Sequence, residues 1–173
     1  VTSIGAFAFH RCYRLTSVTI PNSVVSMELS GFSGCNELTS VTMHGHIIGE
    51  SVFENCSKLR SVETDATVLP GGCCKGCTSL EIAPRMCTWI ADEAFADCEQ
   101  LMTIPDRVRR IGNMSFRNCT NLKDISHLPI DITIGYSAFR GGPLAHVSPI
   151  LARFFINHAR RPKTLDGASK AEG

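Results

Sequence analysis

The 173-residue chain lacks an excess of either charge, with 17 Lys and Arg against 16 Asp and Glu. Nucleic acid and anionic membrane select for a basic surface, so neither is the expected main partner. No run of 18 or more apolar residues occurs, so no helical membrane span or membrane insertion is expected. The chain opens Val-Thr-Ser, without Met and without a charged segment leading into an apolar one. It is therefore expected to be a piece of a longer protein, and its compartment is not readable from this end. A Ser-His-Asp set, a glycine-rich phosphate loop and a paired-carboxylate motif are also missing. The expectation is a non-enzymatic chain with no catalytic residue, no cofactor and no metal.

What is present is regular. Apolar residues make up 43 % of the chain, enough for the core of one domain. Cys12, Cys35, Cys56, Cys77, Cys98 and Cys119 are separated by gaps of 23, 21, 21, 21 and 21 residues. Three residues after each comes Leu15, Leu38, Leu59, Leu80, Leu101 or Leu122, and three later Val18, Val41, Val62, Ala83, Ile104 or Ile125. Three residues before each Cys stands Phe9, Phe32, Phe53, Phe95 or Phe116, with Cys74 taking that place in the fourth unit. A further column is Ile4, Met27, Ile48, Leu69, Ile90, Ile111 and Ile134, often followed by Gly, as at Gly5, Gly49, Gly112 and Gly135. A seventh unit is degraded: Ile134, Gly135 and Phe139 fit, but Gly142 replaces Cys and Leu144 comes one residue early.

One such unit cannot bury its apolar face alone, but stacked units turn every column into a buried ladder. Leu-x-x-Val is short, rich in β-branched residues and flanked by Ser and Thr, so it reads as a strand of a parallel sheet with rungs about 4.8 Å apart. Ile-Gly reads as a second short strand or extended corner. Phe-x-x-Cys reads as a tight turn or one turn of 3₁₀ helix, with Gly34, Asn55, Gly76 and Asn118 suited to it. Two 23-residue spacings, Cys12 to Cys35 and Ile111 to Ile134, each carry two extra residues in a link, where insertions are tolerated.

The pattern Ile-Gly-x-x-x-Phe-x-x-Cys-x-x-Leu-x-x-Val-x-Ile-Pro, best seen from Ile4 to Pro21, closely resembles the BspA-like class of leucine-rich repeats. The resemblance covers about residues 1–150 and weakens in the fourth unit, Leu69-Pro-Gly-Gly-Cys-Cys-Lys-Gly-Cys77. It implies a right-handed leucine-rich-repeat solenoid of about seven coils with a concave parallel sheet. It also implies a cell-surface or secreted setting, with binding to a host or matrix protein, and it brings no catalytic residues.

Residues 1–148 are expected to form the solenoid, 149–162 a capping α-helix and 163–173 a disordered tail or linker. Ser148-Pro149 suits a helix start, Ile150, Leu151, Phe154, Phe155 and Ala159 form an apolar stripe, Arg160 and Arg161 suit the last turn, and Pro162 is a stop. The competing reading is a partner- or membrane-surface helix.

Cys73, Cys74 and Cys77, with Cys87 ten residues on, raise the question of a thiol or metal site. Since Cys77 belongs to the ladder and Cys74 fills the Phe position, core packing is the favoured reading, with metal or redox chemistry as the alternative. The ladder Cys are expected to be reduced, because parallel in-register side chains do not readily reach disulfide torsions. His44 and His46 flank Gly45 in one link and read as an exposed loop before a metal pair. His10 and His127 sit at variable positions of the repeat. Asn55, Asn113 and Asn118 begin glycosylation sequons, two of them by-products of the repeat.

Two surfaces are candidates for ligand binding. Residues two and four after each Leu are expected to face out: Ser17 and Thr19, Ser40 and Thr42, Ser61 and Glu63, Ile82 and Pro84, Thr103 and Pro105, Asp124 and Ser126. The row before the Ile column includes Ile47, Val68, Trp89 and Arg110, an apolar stripe beside a cation, unless another segment covers it. The function expected from these features is a protein-binding repeat module, monomeric, with a structural spacer as the alternative.

Overall fold

The computed structural model describes residues 1–44 and 47–147. The expected capping helix, the tail, Gly45 and His46 lie outside the described residues. The chain winds into about six turns of a parallel β-solenoid, and no helix occurs among the described residues. Each turn carries at most two very short strands. The first sheet joins β2 (Ser17–Thr19), β4 (Ser40–Thr42) and β6 (Ser61–Glu63). On the other side, β1 (Ser3–Ile4), β3 (Ser26–Met27) and β5 (Ile47–Ile48) form one sheet. There also, β7 (Val68–Leu69), β8 (Trp89–Ile90), β9 (Arg110–Ile111) and β10 (Thr133–Ile134) form another. Every pairing is parallel and in register, column on column: Val18 lies against Val41 and Val41 against Val62.

The ladders of the repeat are the core. Phe32, Phe53, Phe95 and Phe116 are buried, as are Leu38, Leu59, Leu80 and Leu101. Phe rings stack coil on coil at centroid distances of 4.9 Å (Phe9–Phe32), 6.0 Å (Phe32–Phe53), 5.6 Å (Phe95–Phe116) and 5.6 Å (Phe116–Phe139). The column is interrupted at Cys74, which is fully buried in the Phe position. A further buried column runs through the links: Val24, Ala66, Cys87, Val108 and Ile132. Cys87 is therefore a core residue of its link. The degraded seventh unit still packs, with Phe139, Leu144 and Val147 buried.

Two corners of each coil need the left-handed backbone region. The residue two before the Phe position has positive φ in every coil, from Phe7 (58°) through Ser51 (53°) and Gly72 (62°) to Ser137 (51°). So does the residue just before the Cys position, from Arg11 (58°) through Gly34 (74°), Asn55 (59°), Asp97 (63°) and Asn118 (59°) to Gly141 (81°). Gly, Asn and Asp tolerate that region best, which explains their abundance before Cys. It also explains two of the sequons. Between these corners alternate amides point within the coil and along the axis. Ala8 donates to the Gly5 carbonyl and Phe9 to the Gly31 carbonyl of the next coil, so the corner is both a turn and a rung.

The structure corrects the expected strand after Leu. It forms in the first three coils and shrinks to isolated bridges at Ile82 and Thr103. Two residues after each bridge stand Pro84 and Pro105, which have no N–H to donate to the ladder. In the next coil Asp124 accepts hydrogen bonds from the Ser126 amide (2.8 Å) and hydroxyl (3.0 Å), a local bond that competes with pairing. Pro84, expected to face out, is buried. The break between β5 and β7 has the same cause. Glu28, Gly49, Ala91, Gly112 and Gly135 each donate a backbone N–H to the preceding coil. Pro70 holds that position in the fourth coil and has no hydrogen to give.

Candidate functional site

The first candidate site lies along the outer row of the first sheet. Strand alternation turns Val18, Val41 and Val62 inward and their neighbours outward. Ser17, Thr19, Ser40, Glu63, Thr103 and Asp124 are exposed, whereas Thr42, Ser61 and Ser126 are half-buried. In-register pairing brings Ser17, Ser40 and Ser61 into one row and Thr19, Thr42 and Glu63 into another. Ser61 continues onto Ile82 and Ile82 onto Thr103. The Thr42 hydroxyl donates to the Glu63 carboxylate at 3.4 Å.

Beside these rows runs an open groove of about 470 Å³, lined by Thr42, His44, Ser61, Glu63, Asp65, Ile82, Pro84 and Arg85 among others. His44 Nδ1 lies 3.3 Å from Asp65 Oδ2, both exposed. A second groove of about 570 Å³ follows, lined in part by Ile82, Met86, Met102, Pro105 and Arg107. Ile82, Met86 and Met102 are exposed apolar side chains. The sequence reading missed Asp65, Arg85, Met86 and Met102. Met86 and Met102 carried a signal, Met in variable positions where polar residues are the norm; Asp65 and Arg85 carried none.

The second candidate row is formed by the 21-residue register: Val68 pairs with Trp89, Trp89 with Arg110 and Arg110 with Thr133. Val68 and Trp89 are 39 % and 38 % exposed, and the Arg110 guanidinium sits 4.5 Å from the indole centroid. Ile47 pairs in the other sheet, with Ser26, and does not join Val68 across the Pro70 break.

The nine thiols divide sharply. All are free; Cys12, in the first described coil, is exposed and the other eight are buried. The five ladder thiols from Cys35 on each donate to the carbonyl of the Phe column in the preceding coil: Cys35 to Phe9 (3.1 Å), Cys56 to Phe32 (3.2 Å), Cys77 to Phe53 (3.1 Å), Cys98 to Cys74 (3.1 Å) and Cys119 to Phe95 (3.1 Å). A small apolar residue with a weak donor suits that place. Cys73 and Cys74 Sγ are 4.0 Å apart. Among the described residues, no group of three or more His, Cys, Asp and Glu is arranged to hold a metal ion.

Burial pushes the thiols of Cys56, Cys87 and Cys119 up to about 12 and that of Cys77 to about 11, from an ordinary value of 9.0. Below pH 9 both folded and unfolded chains keep these protons, so pH does not act through them. Between 9 and about 12 the unfolded chain sheds protons that the folded chain retains, so stability falls as pH rises. Two outcomes are expected: the native chain reacts with a thiol reagent at Cys12 alone, and the melting temperature falls steadily above pH 9. Rapid labelling of several thiols without denaturant, or an alkaline plateau in Tm, would contradict the buried ladder.

Stacked in-register coils with a Phe-Cys-Leu-Val core define a leucine-rich-repeat solenoid. The profile described as "BspA type Leucine rich repeat region" matches residues 1–102 and 72–150, in six copies. The chain belongs to that family. It is similar to the crystal structure of a leucine-rich repeat protein from Bacteroides ovatus, at 33 % identity and TM-score 0.73, over 82 % of this chain and 38 % of that one. A leucine rich cell surface protein from Faecalibacterium prausnitzii is 40 % identical over 62 % of this chain and 31 % of that one, with TM-score 0.58. A leucine-rich repeat protein from Eubacterium ventriosum shares the fold at 23 % identity and TM-score 0.70, over 97 % of this chain and 46 % of that one. The chain thus spans less than half the length of each of these three. The comparison with curated proteins found no match.

Proposed function

We propose that this chain is a non-enzymatic protein-binding module, a cell-surface or adhesion-type part of a larger protein, whose partner lies on the outer rows of β2, β4 and β6 and the groove beside them. The observation that carries this reading is the groove itself, where hydroxyl, carboxylate, guanidinium and exposed aliphatic groups from adjacent rungs line one continuous surface. A lining that mixes apolar Ile82 with polar Ser61, Glu63 and Arg85 has the composition of a protein interface. The surface setting is supported by the resemblance to a protein described as a cell surface protein.

The test is surface plasmon resonance of the chain against a panel of matrix and host-surface proteins, with Ile82→Arg run in parallel. Ile82 is exposed, so the substitution is expected to change stability by no more than about 0.5 kcal/mol. Saturable binding to a panel member, weakened about 10-fold or more by Ile82→Arg, is the expected result. Binding that ignores Ile82→Arg would move the site elsewhere. No binding at all would favour a structural spacer.

A further inference from the structure

We infer that the row Val68–Trp89–Arg110 is a second binding site, separate from the groove, that takes an extended acidic peptide segment carrying an apolar residue two positions from an Asp or Glu. The three side chains stand on successive hydrogen-bonded rungs, β7, β8 and β9. Val68 and Trp89 are both well exposed for apolar residues. Arg110 Cζ lies 4.5 Å from the indole centroid, which holds the cation against the Trp89 ring before any ligand arrives. A stacked guanidinium keeps its edge N–H groups free, and that edge matches a carboxylate in two parallel hydrogen bonds.

The segment leading into and entering β9 is basic, with Arg107, Arg109 and Arg110 against the single carboxylate of Asp106. Arg107, Arg109 and Arg110 fall within four residues and are exposed. Among the described residues the ion pairs are His44–Asp65, Lys58–Glu37, Lys75–Glu93 and Arg117–Asp97, none of which uses these three. Arg109 is tied back to the backbone carbonyls of Asp106 (2.9 Å) and Val108 (3.2 Å) of its own link. The carboxylate of Asp92 is committed to the amide and side chain of Asn113, at 2.7 and 3.0 Å. The exposed Asp106 and Asp131 of the neighbouring links pair with none of the three.

The spacing sets the ligand. Neighbouring rungs are about 4.8 Å apart, and an extended peptide advances about 6.6 Å over two residues. An apolar side chain on Val68 and Trp89 thus brings a carboxylate two residues on to Arg110. Trp, Arg and a flanking aliphatic residue are the composition of interface hot spots.

Trp89 is the only Trp in the chain, so its fluorescence reports on this site directly. The experiment titrates the chain with a peptide of Leu-Ser-Glu repeats, its Leu-Ser-Lys counterpart and oligothymidylate. Saturable quenching or shift with the acidic peptide, weakened by added salt, is expected, with no comparable response to the basic one. Arg110→Gln, checked for an unchanged melting temperature, is expected to weaken the acidic peptide roughly 10-fold or more, since a charge-assisted bond is lost. Ile82→Arg is expected to leave it unchanged, so this site stands or falls independently of the groove. Equal binding of the basic peptide, full affinity in Arg110→Gln, or tighter binding of oligothymidylate would overturn the inference, the last pointing to a nucleic-acid surface.

Discussion

Truncating Phe95 to Ala is expected to destabilise the chain by about 3–5 kcal/mol, the range for a large aromatic removed from a packed core. Phe95 is fully buried, with Phe116 stacked on it at 5.6 Å. In the neighbouring coil its column is already short of volume, because Cys74 stands where other coils have Phe. The cavity left by Ala would therefore adjoin a small residue that cannot fill it. The matched substitution Phe9→Ala, in the first described coil, removes a ring that is 40 % exposed and is expected to cost this chain under half as much. Denaturant unfolding of both variants checks this. A loss below about 1 kcal/mol for Phe95→Ala, set against typical core costs, would mean that the Phe column is not the core.

Gly112→Val is expected to destabilise by about 1–3 kcal/mol or more, as overpacking does, whereas Gly5→Val at the same repeat position is expected to be nearly neutral. A Cβ on Gly112 would lie 2.6 Å from the Ala91 carbonyl carbon and 2.6 Å from the Asp92 amide nitrogen. Both are backbone atoms of the adjacent coil and cannot swing aside. A Cβ on Gly5 meets nothing within 4 Å. Neither glycine has positive φ, so the difference isolates the distance between coils from backbone torsion. Equal unfolding midpoints for the two variants would show that the coils separate easily, contrary to a hydrogen-bonded rung in which the Gly112 amide donates to the Ile90 carbonyl at 2.8 Å.

The repeat was legible because each coil buries the same positions against its neighbours, so a single period repeats the Phe, Cys, Leu and Val columns. The turn before Cys was legible for a related reason. Gly34, Asn55 and Asn118 report a left-handed corner by residue type alone, although Arg11 (58°) and Phe7 (58°) adopt the same region without advertising it. The strands were over-read. Leu80-x-x-Ala83 and Leu101-x-x-Ile104 carry the pattern, yet Pro84 and Pro105 just beyond them withhold ladder donors, and that effect appears only when the partner strand is in place.

The candidate sites were legible as rows. Alternation predicted Ser61 and Glu63 to face out, and left Val68, Trp89 and Arg110 as an outward row only if no other segment covered it; Glu63 is exposed and Ser61 half-buried. The buried reduced thiols followed from the same column logic, as did the assignment of Cys77 to the ladder. Sequence by itself therefore determined the period, the family and the inward columns, because these depend only on residue type at fixed spacing. Tertiary structure alone decided which rows are continuous, which end at Pro70, how near Gly112 approaches the next coil, and that Arg110 lies on Trp89. Each of those depends on the separation of atoms in different coils, 21 or more residues apart along the chain and about 4.8 Å apart along the solenoid axis.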